Sequence, residues 1–179
     1  MKNLFQVTIF AVLLAGCAST GPTVTSNANP GTDFSAIQTF GFMAPLGTDR
    51  PGGVRTPLSN MLAASVIEAL EARGLRQASN PDVLVNFFVN TEQRLDVRQV
   101  PTATSFHGYR RGRYSTWRGY ETRVREYTRG TLAIDLVDPG QSLLVWEAHA
   151  QGRLSRGSTE VTREQIDNVV GALFDELPR

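Results

Sequence analysis

The feature that most constrains the fold is the spacing of apolar residues, which follows two different repeats along the chain. In one segment, apolar residues recur every fourth position, as on one face of an α-helix: Leu58, Leu62, Val66 and Leu70. In residues 83–89 and 131–137, every second residue belongs to one apolar face, which is typical of half-buried strands. Because an amphipathic helix needs an apolar surface on which to pack, helices beside such strands predict an α+β domain.

Local signals place the ends of two helices. Thr56 can cap the first helix, Pro57 suits its first turn, and Gly74 can adopt the left-handed conformation that ends it. The second helix is expected to begin near residues 158–162, to carry a broad apolar stripe, and to end before Pro178.

The strands are predicted from alternation and turn residues, in the order β-β-α-β-β-β-β-α. They cover residues 24–28, 39–43, 83–90, 94–100, 131–137 and 143–154. We expect 83–90 and 94–100 to form a hairpin, and Asp138-Pro139-Gly140 to turn between the last two strands, with Leu144 and Trp146 on one apolar face. The predicted domain is a mainly antiparallel sheet of four to six strands with both helices on one face.

The N-terminus predicts export and lipid attachment. Lys2 precedes an apolar stretch over residues 4–14, which is shorter than the roughly 20 residues of a spanning helix and has the length of a signal peptide core. Leu14-Ala15-Gly16-Cys17 resembles the bacterial lipobox. We therefore expect residues 1–16 to be a cleaved signal peptide, Cys17 to carry lipid, residues 17–23 to form a short tether, and 24–179 to form one domain.

The residue after the cysteine is Ala18, and the resemblance to sorted lipoproteins implies the periplasmic face of the outer membrane. Cys17 is the only cysteine, so no disulfide can form within the chain.

Several segments of the chain resemble a bacterial lipoprotein family known as domain of unknown function 4136. They are Asp33-Phe34-Ser35, residues 81–85 (PDVLV), residues 130–138 (GTLAIDLVD) and residues 144–148 (LVWEA). The resemblance implies the architecture and the cellular address and carries no biochemical activity.

The most unusual stretch is rich in arginine, tyrosine and glycine, within a chain of formal net charge +1. It is predicted to be a loop at about residues 101–127, and its candidate ligand-binding residues combine guanidinium groups with aromatic rings: Arg110, Arg111, Arg113, Tyr114, Trp117, Arg118 and Tyr120. Guanidinium groups pair bidentately with phosphates and carboxylates, while rings add stacking. This chemistry suits an anionic envelope glycolipid, peptidoglycan or an acidic protein surface. The other interpretation is a solvated loop with no ligand.

Other candidate sites are weak. Glu147 and His149 share a strand face but supply only two metal ligands, and Asp135 and Asp138 are expected on opposite faces. We therefore expect no catalytic residues, no metal, no cofactor besides the lipid on Cys17, and no nucleic-acid partner. The predicted function is that of a non-catalytic envelope lipoprotein that binds an envelope component or a protein. The alternatives are a small envelope hydrolase or other periplasmic enzyme, and a purely structural lipoprotein.

Overall fold

The computed structural model describes the backbone of residues 21–110, 113–154 and 161–178, and their side chains except in 103–118. Cys17, the signal peptide, most of the tether and Arg111 lie outside these described residues.

One six-stranded sheet and two α-helices make up the fold. The strands are β1 (Thr23–Ala28), β2 (Thr39–Phe42), β3 (Arg76–Gln77), β4 (Val83–Arg110), β5 (Arg113–Asp138) and β6 (Leu143–Leu154). The helices are α1 (Pro57–Ala72) and α2 (Arg163–Asp175), and a 3-10 turn spans Phe34–Ala36. The strand order is β1-β6-β5-β4-β2-β3, in which β2 pairs in parallel with β4 and β3 while the other neighbours are antiparallel. The predicted α+β class, mainly antiparallel sheet and element order are confirmed.

Both helices begin where the sequence predicts. The Thr56 hydroxyl accepts the backbone N–H of Ser59 at 3.0 Å, and α1 is followed by Gly74 with φ +93°. Before α2, Thr162 and Gln165 form a reciprocal capping box. These caps fix the helix starts by satisfying N–H groups that have no partner inside the helix.

The core lies between the two helices and one face of the sheet. Alternate residues of the strands point into it, including Val85, Phe87, Ile134 and Trp146, all at most 1% exposed. The Trp146 ring stacks on Phe174 of α2 with centroids 5.7 Å apart. We call this the helix face of the sheet and the opposite side the open face.

The predicted hairpin between residues 83–90 and 94–100 is wrong, and so is the predicted loop at 101–127. Residues 83–110 form the single strand β4, whose backbone pairs with β5 from Leu84 opposite Val137 to Arg110 opposite Arg113. Residues 91–93 (Thr-Glu-Gln) contain none of the residues that favour a tight turn, so the chain continues straight. Gly108 and Gly119 of the next segment lie within β4 and β5.

The prediction that Leu144 shares a buried face with Trp146 is also wrong. The pairing register between β5 and β6 shifts at Leu136/Val137, so that Trp146 lies opposite Leu136 but Leu144 lies opposite Val137. Val145 is the extra residue of this bulge. The bulge turns Leu144 outward, where it is 41% exposed, while Val145 is buried.

The two long strands extend beyond the rest of the sheet. β6 ends at Leu154 opposite Thr128, and past this point, among the residues that the structure describes, β4 and β5 pair only with each other. We call the two-stranded part, residues 94–110 and 113–127, the ribbon. At about 3.3 Å per residue it projects roughly 55 Å from the body of the sheet. No helix within the described residues is long and apolar enough to cross a membrane.

Candidate functional site

The ribbon carries the arginine- and tyrosine-rich segment out to its tip. In the backbone register Arg110 lies opposite Arg113, and Tyr114 lies opposite Tyr109. Farther from the tip, Trp117 and Arg118 follow on β5 and pair with Phe106 and Ser105 of β4. Side-chain positions are described only outside residues 103–118, and there Tyr120 is 66% exposed.

The pairing register brings the predicted residues together. The sequence alone placed the candidate residues in one loop with no defined geometry, whereas an antiparallel ribbon holds the two arms side by side, about 5 Å apart. Arginines distant in sequence, such as Arg98 and Arg123, are direct cross-strand neighbours. The ribbon thus presents guanidinium groups from both arms along one narrow surface.

One face of the ribbon, continuous with the open face of the sheet, is charged. Along each strand, carboxylates pair with arginines two residues away: Glu92 with Arg94 at 2.7 Å, Asp96 with Arg98 at 3.0 Å, and Glu121 with Arg123 at 2.5 Å. Arg125 and Arg129 belong to the same face by register, opposite Asp96 and Glu92. Arginines therefore outnumber carboxylates on this face.

An arginine of β6 ties the base of the ribbon to the sheet. The Arg153 guanidinium lies 3.9 Å from the centroid of the Tyr127 ring, and its Nη2 is 3.5 Å from Asp96 Oδ2. Hydrogen bonding from Arg98, followed by the charges of Arg98 and Arg153, holds the pKa of Asp96 below its usual value. These contacts join β6 to β4 and β5 at the base of the ribbon, close to the end of β6.

The other face of the ribbon, continuous with the helix face of the sheet, carries exposed apolar side chains, with Gln99, Thr122 and Glu126 between them. We call Leu95, Val97, Val124 and Tyr120 the apolar stripe. Sequence reasoning missed it, because the alternation at residues 94–100 was assigned to a hairpin strand inside the sheet. The available signal was that Leu95 and Val97 continue the period-two pattern of Val85 and Phe87.

A second polar group lies on the open face of the sheet. The Nε2 atom of His149 is 3.6 Å from Glu147 Oε2, and Asn27 donates a hydrogen bond of 3.4 Å to Glu147 Oε1. Asp135 lies opposite Glu147 in the register, and burial followed by the negative charge of Glu147 raises its pKa. Among the described residues, no group of three His, Cys, Asp or Glu side chains could hold a metal ion.

Asp138 has a separate, local role. Its Oδ1 accepts the N–H of Gly140 at 2.7 Å and of Gln141 at 3.0 Å, which stabilises the turn before β6. The oxygen atoms of Asp138 are thus engaged in a local structural role.

A cavity of about 480 Å³ lies at the end of the domain that faces away from the ribbon. Its walls include Phe34, Leu75, Leu136 and Leu177. The one charged side chain in its lining, Arg73, donates a hydrogen bond of 2.6 Å to the Leu177 carbonyl. That contact joins the ends of α1 and α2, so it has a structural role.

Comparison with solved structures shows the fold. A PDZ domain protein from Parabacteroides distasonis is similar with a TM-score of 0.59 and 16% identity over 88% of this chain, which spans only 35% of that protein. Two structures of a PelC dodecamer from Paraburkholderia phytofirmans have TM-scores of 0.46, with 12% and 13% identity over 85% of this chain and 93% and 94% of theirs. No curated protein matches the sequence.

The sequence itself matches a family over nearly the whole described domain. The match is to the family described as "Domain of unknown function (DUF4136)", and it extends over residues 24–179. These residues include both helices, all of the sheet except the first residue of β1, and the entire ribbon. The chain therefore belongs to the DUF4136 family.

Proposed function

We propose that this protein is a non-catalytic lipoprotein of the bacterial envelope, attached to the outer membrane through Cys17, that binds an anionic envelope component with its ribbon. The observation that carries the proposal is the projection of the arginine-rich segment on strands of 28 and 26 residues, beyond the edge of the packed sheet. A long projection reaches a partner that the compact body cannot approach. Its arginines supply the charge for phosphate or carboxylate groups.

The anionic class of ligand follows from the charge distribution. The whole chain has a formal net charge of +1, yet residues 106–129 contain seven arginines and only two carboxylates, Glu121 and Glu126. Positive charge concentrated on one projection attracts anions locally and does not require a basic protein. Glycolipid phosphates and the carboxylates of peptidoglycan or of an acidic protein share the chemistry that arginine recognises.

Binding is tested with arginine variants of the tip and a control of equal charge. The test variant replaces three tip arginines with serine: Arg110, Arg111 and Arg113. The control replaces three exposed arginines of the body with serine: Arg50, Arg55 and Arg76. Retention on immobilised lipopolysaccharide and on sacculi is measured for each protein.

We expect the tip variant to lose at least about tenfold in retention on one of the two materials, since each exposed charge contact contributes on the order of 0.5 kcal/mol and the tip combines several. The body variant should bind as the wild type does. Equal retention of all three proteins on both materials would reject the ligand assignment.

Anchoring is tested separately. We expect cells fed with labelled palmitate to label the wild-type chain and not the Cys17→Ala variant. Equal labelling of the two proteins would refute lipid attachment at Cys17.

A further inference from the structure

We infer that the apolar stripe of the ribbon rests on the bilayer to which Cys17 attaches the chain. This inference depends on the proposed anchoring and adds a second, non-covalent membrane contact to it.

The stripe is an apolar surface that the described part of the chain leaves exposed. Leu95 is 67% exposed, Val97 61% and Val124 58%. In the register, Val97 lies opposite Val124, and Tyr120 lies opposite Pro101 farther along the same face. A two-stranded ribbon without a third strand or a packed helix is marginally stable in water. The stripe is therefore the part of the ribbon that gains most from an apolar partner.

The two faces of the ribbon differ in their charge. The difference holds over residues 91–101 of β4 and their partners on β5. On the stripe face, the register places one charged residue in this region, Glu126. The opposite face carries the carboxylate–arginine pairs of Arg94, Arg98 and Arg123. An element with one apolar and one arginine-rich face is suited to lie in the plane of a membrane interface.

The place where the chain enters the fold favours the bilayer as the partner of the apolar stripe. Thr23, the first residue of β1, lies opposite Gln151 of β6, which in turn lies opposite Thr131 of β5. The chain thus enters near the base of the ribbon. Six residues separate Cys17 from Thr23, a reach of about 20 Å when extended. Val124 is seven residues along β5 from Thr131, or about 23 Å. The stripe begins at Leu95, opposite Glu126, which is five residues along β5 from Thr131. Its near end is therefore about one tether length from the point where the tether joins the fold.

The same lengths constrain the orientation of the ribbon. Its tip lies roughly 60 Å from the level of Thr23, which is about three times the reach of the tether. A ribbon directed straight at the membrane would have to enter the bilayer, so a short tether favours a ribbon that lies along the surface. In that orientation the stripe can face the lipid while the charged face remains in water.

A second copy of the chain is a poorer occupant by area. The segment that contains Leu95, Val97, Val124 and Tyr120 is about 20 Å long and 10 Å wide, so face-to-face contact would cover about 200 Å² on each ribbon. Stable protein interfaces cover about 800 Å² on each partner. A bilayer has no such minimum, because the lipid anchor already holds the protein beside it.

The experiment places fluorescent probes on the two faces of the acylated protein. Because Cys17 is the only cysteine and its thiol is consumed by acylation, an introduced cysteine is the only free thiol. Val97→Cys and Val124→Cys place the probe on the stripe. Val100→Cys is the matched control, since it is the same substitution three residues farther along β4. Val100 lies on the charged face of the ribbon, where its cross-strand partner is Glu121. Each protein is reconstituted in phosphatidylethanolamine and phosphatidylglycerol vesicles with nitroxide-labelled acyl chains.

We expect nitroxide quenching at Val97 and Val124 to exceed that at Val100 by at least about twofold, because interfacial elements bury their apolar side several ångströms below the headgroups. Equal quenching at the three positions overturns the inference. Stripe probes that are shielded from water but not quenched by nitroxide would also overturn it and would indicate protein on the stripe.

Flotation of the vesicles separates the two proposals. If the acylated protein does not float with the vesicles, the anchoring proposal fails and the inference fails with it. If the protein floats and the stripe probes are not quenched, the inference alone fails.

Discussion

At the scale of single residues, Gly47 is required by a close approach. A Cβ atom at this position would lie 2.2 Å from the Phe88 ring and 2.9 Å from the Phe87 carbonyl oxygen. The Gly47 N–H also donates a hydrogen bond of 2.8 Å to Asn86 Oδ1, which fastens the long loop to β4. The absence of a side chain thus lets the loop pack against the strand edge.

We predict that Gly47→Ala lowers the free energy of unfolding by about 1–3 kcal/mol, because the loop must move to relieve the overlap. Gly171→Ala is the control, since no atom lies within 4 Å of its Cβ position inside α2. That change should raise stability by about 0.5–1 kcal/mol through better helix propensity. Urea unfolding of both variants checks the prediction, and equal effects would contradict it.

Asp135 is a residue whose charge opposes folding at neutral pH. Its raised pKa means that the folded state binds its proton more tightly than the unfolded state does. The unfavourable contribution is absent below the unfolded pKa of about 3.9 and develops as the pH rises through the higher folded value. Glu147 contributes through like-charge repulsion.

We therefore predict that Asp135→Asn stabilises the protein at pH 7, by less than about 1 kcal/mol given solvent screening, and that the difference from wild type disappears near pH 3. Unfolding free energies measured across this range check the prediction. In a Glu147→Gln background the gain should be smaller, since the repelling charge is gone. A gain that does not depend on pH would count against the electrostatic cause.

At the scale of secondary-structure elements, the start of α2 depends on its capping box. Thr162 accepts the N–H of Gln165 at 3.3 Å, and the Gln165 side chain accepts the Thr162 N–H at 3.0 Å. One residue into the helix, Arg163 pairs with Asp167 of α2 and Glu68 of α1, both at 2.7 Å. The cap thus positions a residue that joins the two helices.

We expect Thr162→Ala to cost about 1 kcal/mol of unfolding free energy, because the Gln165 N–H at the helix start loses its hydroxyl acceptor. Thr162→Ser, which keeps the hydroxyl, should cost at most a few tenths of a kcal/mol. Denaturant unfolding of both variants distinguishes loss of the cap from loss of the threonine methyl group. Equal destabilisation by alanine and serine would refute the capping role.

At the scale of the whole molecule, the ribbon and the packed body are distinct in what stabilises them. Within the described side chains, none of the buried core residues lies between Phe88 and Ala133. The body instead takes its core from the helices, from Phe40 of β2 and Leu46 of the loop after it, and from the inner halves of β4, β5 and β6. We therefore expect the ribbon to be dispensable for the body's stability, although it carries the proposed binding residues.

We predict that replacing residues 94–127 with Asn-Gly leaves a folded domain whose melting temperature is within a few degrees of the wild-type value. Gln93 and Thr128 are cross-strand partners, and Asn-Gly is a favourable two-residue turn between paired strands. Circular dichroism melting measures the outcome. Loss of cooperative unfolding would show that the ribbon supports the core.

Local sequence signals determined the parts of this protein that short-range physics controls. Thr56 and Gly74 bracket α1, and Thr162 caps α2, because a cap satisfies backbone groups within a few residues. Alternation identified the buried faces of β4 and β5, and the turn at Asp138 follows from its side-chain hydrogen bonds. The family resemblance at residues 130–138 is also a property of the sequence, and it agrees with the match over residues 24–179.

Only the tertiary structure decided where the strands end and which residues face each other. Period-two alternation is the same for a strand inside a sheet and for one that continues into a ribbon, so alternation within residues 94–100 does not by itself exclude a new hairpin arm. Only the phase that these residues share with Val85 and Phe87 favours one continuous strand. The bulge at Val145 moved Leu144 to the open face, since one extra residue reverses the alternation. The cross-strand register likewise brings Val97 next to Val124. The sequence around either residue does not predict this pairing.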